Sequence, residues 1–157
     1  MSIIWKRVCC VALVLAALAG LGACGGTHEV PTMNEDAIRQ ALVGKTWTLR
    51  KIVARSYSDD PARTLKFNAD GTVEGFGGCN AFTGTYTLSG DTIDFGPLAS
   101  SHKSCGPGLD EQEYTYLTYL GRAVRLEIES EGSELILLTE NQSEIHFTSG
   151  ESSGFFW

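Results

Sequence analysis

Two runs of strict alternation constrain the fold of this chain most. Phe82-Thr83-Gly84-Thr85-Tyr86-Thr87-Leu88 sets three Thr on one face and Phe82, Tyr86 and Leu88 on the other. Ala123-Val124-Arg125-Leu126-Glu127-Ile128-Glu129 predicts Val124, Leu126 and Ile128 inward, with the charges outward. A period of two with one apolar face is the pattern of a half-buried antiparallel strand, because successive side chains leave opposite faces. Weaker strand candidates are Trp47–Ala54, Thr64–Asn68, Thr72–Phe76, Asp91–Phe95, Glu134–Thr139 and Glu144–Thr148. Turn signals separate them at Asp70-Gly71, Ser89-Gly90-Asp91, Glu131-Gly132-Ser133 and Asn141-Gln142-Ser143. The 18 Gly against 4 Pro suit many tight turns, and short links between consecutive strands imply a meander.

Two segments depart from that period. Thr32-Met33-Asn34-Glu35 reads as a capping box opening a short helix to about Val43, with Ile38 and Leu42 as its apolar edge and Gly44 as its stop. Asp110-Glu111-Gln112-Glu113 opens a second helix. Tyr116, Leu117 and Leu120 mark its buried face, and Gly121 sits at its end. The predicted fold is mainly β (α+β): a strongly twisted antiparallel meander or partly closed β-barrel, with one packed helix and a short N-terminal helix. Closure or a covering helix deals with exposed strand edges.

The amino terminus has a different logic. Met1–Arg7 holds two cations and no acid, and no charge follows from Val8 to Ala23. A cationic start and an apolar run ending in small residues form a secretory signal. A membrane-spanning helix needs about 20 apolar residues, more than this run supplies. Leu21-Gly22-Ala23-Cys24 resembles the lipobox of bacterial lipoproteins, in which the Cys thiol accepts a diacylglyceryl group. The expected organisation is a signal peptide over 1–23, a lipidated Cys24 with a tether to residue 32, and one domain over 33–157. Gly25, where an Asp would resemble an inner-membrane retention signal, favours the outer membrane, with the domain facing the periplasm. The formal charge of −7 falls to about −9 once Lys6 and Arg7 leave with the signal. Such a surface repels phosphate backbones, so nucleic acid is excluded as a partner.

Leu65-Lys66-Phe67-Asn68-Ala69-Asp70-Gly71-Thr72-Val73-Glu74-Gly75, followed by Gly77-Gly78-Cys79-Asn80, resembles the META domain of the HslJ-like heat-shock lipoproteins. The F-x-G-x-Y of Phe82, Gly84 and Tyr86, then Ile93-Asp94-Phe95, Cys105 and the Glu113–Leu120 helix follow in order, and Trp47 and Leu49 match the opening strand. The similarity runs from about Gly44 to Thr148. Ser101-His102-Lys103-Ser104 departs from it, since the family often shows Thr and Met there. The resemblance implies a β-dominated fold and an envelope location linked to stress tolerance. It brings no reaction with it.

Few residues offer chemistry. Gly75-Phe76-Gly77-Gly78 lacks the Lys-Ser/Thr pair and following helix of a phosphate loop, so close backbone packing is the expected role. His102 and Cys105 with Cys79 supply three potential metal ligands and no fourth. Once the signal is removed, Cys79 and Cys105 are the only cysteines besides Cys24, and the compartment is oxidising; a disulfide between them is predicted, against two buried free thiols. Asn80 is expected to satisfy backbone groups in a turn, Glu113 to act as a helix cap, and His146 to lie on the surface. The aromatic run Phe155-Phe156-Trp157 is expected either to pack across a barrel mouth or to make a contact. The chain is therefore expected to be a non-catalytic envelope lipoprotein without metal or cofactor. It would be bound to the membrane through its lipid and support envelope integrity or stress tolerance through interactions, with an unknown envelope protein or a small apolar ligand as partner. The alternative is a carrier or sensor holding a small apolar ligand inside the barrel; an enzyme is the third reading.

Overall fold

In the computed structural model, residues 34–150 are described. The signal 1–23, Cys24, the tether and Phe155–Trp157 lie outside them. In chain order the elements are α1 (Glu35–Leu42), β1 (Thr46–Ile52), β2 (Arg55–Ser56), β3 (Thr64–Phe67), β4 (Thr72–Phe76), β5 (Ala81–Ser89), β6 (Thr92–Phe95), β7 (Ala99–Ser100), α2 (Pro107–Leu120), β8 (Ala123–Glu129), β9 (Glu134–Thr139) and β10 (Glu144–Ser149).

The meander closes fully. Strands β1, β3, β4, β5, β6, β8, β9 and β10 follow one another around an antiparallel barrel, and β10 returns to β1 with Trp47 opposite Ser149 and Leu49 opposite Phe147. Two short strands are extra: β2 pairs with β1, and β7 with β5. A bulge between Leu49 and Lys51 lets β1 bend between its two partners. It also moves the next inward side chain to Ile52, three residues beyond Leu49, and both are buried. The same device corrects the predicted phase of β8. A bulge between Ala123 and Arg125 turns Ala123 inward with Leu126, leaving Val124 only half-buried.

The inward faces pack as one cluster that includes Trp47, Leu65, Phe67, Phe82, Tyr86, Leu126, Leu137 and Phe147. Phe67 meets Tyr86 edge-on at 5.0 Å, and Phe82 meets Tyr116 of α2 at 5.9 Å. Such ring contacts add to burial, the main stabilising term of a small domain. Two glycines permit the close approach. A Cβ on Gly75 would strike the Thr64 carbonyl oxygen and lie 2.5 Å from the Phe82 ring; one on Gly84 would lie 2.7 Å from Leu98.

Each end of the barrel is covered by a helix. At one end lies α1, whose Ile38 and Leu42 are buried. The Gly44 amide donates to the Phe67 carbonyl at 3.0 Å, the Trp47 indole donates to the Leu42 carbonyl at 3.0 Å, and Glu35 accepts from the Gly90 amide at 3.2 Å. The cap is Asn34, which accepts from the Ala37 amide at 2.8 Å. Glu35 pairs with Arg39 and Gly90, so the expected capping box gives way to an Asn cap; Thr32 lies outside the described residues. At the other end, α2 begins at Pro107, before the expected Asp110, because Pro suits the first helical position, where its missing N–H costs nothing. Its Glu113, Tyr116 and Leu120 are buried, and the Tyr116 hydroxyl donates to the Thr64 carbonyl at 3.0 Å. Gly121 ends the helix at a φ of −69°, in ordinary right-handed conformation.

Candidate functional site

The segment Gly77–Asn80, between β4 and β5, is wholly buried beneath α2. Buried backbone needs partners, and Glu113 supplies them. Its Oε2 accepts from the Asn80 amide at 2.6 Å and the Cys79 amide at 3.2 Å, while its Oε1 accepts from Asn80 Nδ2 at 2.7 Å. Glu113 therefore does not cap its own helix, as the sequence suggested; from mid-helix it caps a loop that is distant in the chain. A Cβ on Gly77 would lie 2.6 Å from Glu113 Cγ, so the carboxylate reaches this loop only over a glycine. Gly78 has a φ of +107°, a conformation glycine adopts freely.

Asn80 ties in a third segment. Its Nδ2 also donates to the Lys103 carbonyl at 2.8 Å, and its Oδ1 accepts from the Lys103 amide at 2.8 Å and the Ser101 hydroxyl at 2.7 Å. Both amide protons and both lone pairs of its side chain are thereby used. The sequence predicts that Asn80 satisfies nearby backbone in a turn; its side chain instead serves the backbone of Lys103, 23 positions on, in the loop before α2. The disulfide between Cys79 and Cys105 fastens the same loop again, as the cysteine count predicted. Cys79 is buried and Cys105 exposed. Neither sulfur is a free thiolate, so the triad with His102 has lost two of its three ligands. Among the described residues no three His, Cys, Asp or Glu side chains are placed to hold a metal ion.

Sequence reasoning missed Arg63, which is only 2% exposed. Its guanidinium donates to the Gln112 Oε1 at 2.6 Å and the Pro61 carbonyl at 3.1 Å, and stands 4.9 Å from the Tyr57 ring centre. Burial pushes its pKa below the ordinary guanidinium range. A Cβ on Gly78 would sit 3.2 Å from the guanidinium, so Gly78 leaves room for a cation packed behind the motif. Nothing in Pro61-Ala62-Arg63 marks it as a core residue.

Beside this network an open groove of about 720 Å³ separates α2 from the strand edge. In the barrel wall β6 pairs with β8 at one position, Thr92 opposite Arg125, while β8 pairs with β9 at six. Beyond β6 the chain runs through Gly96 and Pro97 towards β7. Phe95 and Leu98 line one wall, Tyr114 and Leu117 the other, and Lys103 and His102 are also in the lining. Asp110 belongs to the lining as well. Hydrogen bonds from the Ser104 hydroxyl and the Cys105 amide hold its carboxyl below the usual carboxylate range. His146 lies away from the groove on β10, between Glu134 and Glu144, and is half-buried.

Comparison with known proteins agrees with this architecture. A model of the META domain matches residues 40–152. The chain is similar to a protein from Burkholderia xenovorans solved by NMR, with 23% identity and a TM-score of 0.63, covering 83% of this chain and 98% of that one. It is also similar to a DUF4847 family protein from Bacteroides vulgatus, with 14% identity and a TM-score of 0.56, covering 74% and 99%. At these identities the likeness concerns the fold. No curated protein sequence matches the chain.

Proposed function

This chain belongs to the META domain family, and from that premise we propose that it is a non-catalytic envelope lipoprotein, held at the outer membrane through an acylated Cys24 and supporting envelope integrity through contacts made outside its barrel. One observation carries the non-catalytic part. The side chains of the family motif are spent on one another: Asn80 has no free donor or acceptor, Glu113 takes three N–H groups, and Cys79 is bonded to Cys105. A general base or nucleophile needs a free lone pair within reach of substrate. The packed aromatic core also supports this reading over an apolar-ligand carrier, since the inward side chains occupy the barrel.

The anchored part rests on the Leu21–Cys24 box. Intact-mass measurement of the processed protein is expected to give a chain beginning at an acylated Cys24; an unmodified Cys24 or another terminus sinks it. Asn34, from which the chain leads back to Cys24, opens α1 at one barrel end, while the groove lies beside α2 at the other. For the non-catalytic part, broad hydrolase and transferase panels are expected to show no turnover. Activity that is lost in Glu113→Gln while the fold persists would overturn it. Co-purification of lipid from the barrel would favour the carrier.

A further inference from the structure

We propose that the aromatic run Phe155-Phe156-Trp157 is a second membrane contact, set into the headgroup interface of the bilayer that the lipid on Cys24 holds. This rests on the anchored reading above and adds which end of the barrel turns to the membrane: the end that α1 covers.

The barrel brings both exits to that end. Asn34, from which the chain leads back to Cys24, opens α1 beside the β5–β6 turn, where Glu35 accepts from the Gly90 amide. At the same end β10 finishes. Ser149 stands opposite Trp47 near the start of β1, and its hydroxyl and the Lys45 ammonium both donate to the Gly132 carbonyl. Cys24 precedes Asn34 by ten positions, and Trp157 follows Gly150 by seven. At the extended length of a chain these spans reach at most about 35 Å and about 25 Å, so both can meet one bilayer surface.

The run finds no apolar seat where it leaves the barrel. Both mouths are already covered, by α1 and α2. The concavity beside Gly150 is lined by Lys45, Thr46, Thr48 and Ser149. Among the described residues the large apolar side chains left exposed are Val53, beyond the far end of β1, and Tyr114 on α2, both away from this end. The order of the run itself favours lipid over a protein groove. Successive side chains of an extended segment leave opposite faces, so a groove or strand edge that takes Phe155 and Trp157 leaves Phe156 outside. A bilayer interface accepts all three, and aromatic rings favour that zone. Charge narrows the lipid. Glu35 pairs with Arg39 and Asp91 with Arg125, leaving Asp36, Asp70 and Glu131 against Lys45 at this end. That balance repels anionic headgroups, so the contact is one of rings with zwitterionic lipid. The acyl anchor makes it intramolecular, and a weak contact then suffices.

The test uses the full chain, expressed with its signal and placed in phosphatidylcholine nanodiscs. Brominated acyl chains quench tryptophan from the lipid, and iodide quenches it from water. Trp47 is fully buried in the barrel, so the emission that Trp157→Phe removes reports on the run. Bromolipid is expected to remove most of that emission, and iodide little of it. Phe155→Ser combined with Phe156→Ser should hand Trp157 back to iodide. Replacing part of the lipid by phosphatidylglycerol should not deepen the bromolipid quenching. Quenching of Trp157 by iodide and not by bromolipid overturns the proposal. Protection from both quenchers overturns it in favour of a seat on protein. Deeper quenching with phosphatidylglycerol overturns the ring contact in favour of an electrostatic one. Intact mass keeps the two readings apart: an unmodified Cys24 removes the anchor whatever Trp157 shows, and a water-exposed Trp157 on an acylated chain removes this proposal alone.

Discussion

Replacing Glu113 by Gln removes one charge and no volume, and the consequence follows from three hydrogen bonds. The carboxylate faces only donors: the Cys79 and Asn80 amides on Oε2 and Asn80 Nδ2 on Oε1. A glutamine has one acceptor oxygen. Placed against the backbone amides, it turns its own NH2 towards Asn80 Nδ2, so two donors confront each other. Flipped, it turns the NH2 on two backbone amides instead. The better orientation still loses one charge-assisted bond and weakens the other two. Hydrogen bonds to charged groups are worth about 1.5–3 kcal/mol, and a buried donor left unpaired costs about 1–3. We therefore expect Glu113→Gln to destabilise the fold by about 3 kcal/mol, and Glu113→Ala by about 4–5 once the lost packing is added. That is a large share of a typical stability of about 5–15 kcal/mol. Urea denaturation with the disulfide intact measures it as a lowered midpoint at constant slope. Glu111→Gln, on the exposed face of the same helix, is the control and should change stability by less than about 0.5 kcal/mol. If Glu113→Gln behaves like the control, the carboxylate does not hold the loop and the account of the motif fails.

Three further outcomes follow from other parts of the molecule. Reducing the Cys79–Cys105 bond, which closes a sequence separation of 26, should lower stability by about 3.5 kcal/mol in the chain-entropy model, and denatured, unreduced protein should show neither thiol reactive. Gly75→Ala drives a methyl into the Thr64 carbonyl and the Phe82 ring and should cost about 3 kcal/mol, while Gly90→Asn, at a turn with φ +60° and open space around it, should cost far less; equal denaturation midpoints would contradict the packing described. Burial raises the Tyr116 hydroxyl above its ordinary value of 10.0, so the folded state keeps it neutral. Its contribution is complete below pH 10.0. Above that the unfolded chain ionises first, and stability should fall by up to about 1.4 kcal/mol per pH unit, a slope that Tyr116→Phe should reduce in urea titrations at rising pH.

Much of this was legible in the order of residues because it is local. Alternation in Phe82–Leu88 places side chains on opposite faces of any extended chain, so β5 and its buried face followed without knowledge of a partner. The pairing of Cys79 with Cys105 followed from a count of cysteines and the expectation of an oxidising compartment. Where local rules failed, a neighbour had intervened. Val124 lost its inward place because β8 bulges where it meets β9, and a bulge shifts the phase of every residue before it. Local rules make Glu113 a cap, because acids near a helix start usually serve their own helix. Its partners lie 33 and 34 positions away, and no spacing rule reaches that far. Arg63 carries no signal at all. A lone arginine is a surface residue by default, and it is buried here only because the Tyr57 ring, Gln112 and the space left by Gly78 surround it.

The proposal for Cys24 rests on sequence alone, on a cationic start, a charge-free run and the Leu21–Cys24 box. Closure of the barrel belongs to the tertiary structure. A meander of eight alternating strands satisfies the same local preferences open or closed, and the choice is made by the pairing of β1 with β10, the first and last barrel strands, separated by nearly the whole domain. That pairing turns two exposed edges into a ladder of hydrogen bonds. The groove was decided in the same way: its lining joins Phe95 and Leu98 to Tyr114 and Leu117 of α2, residues that no local rule brings together.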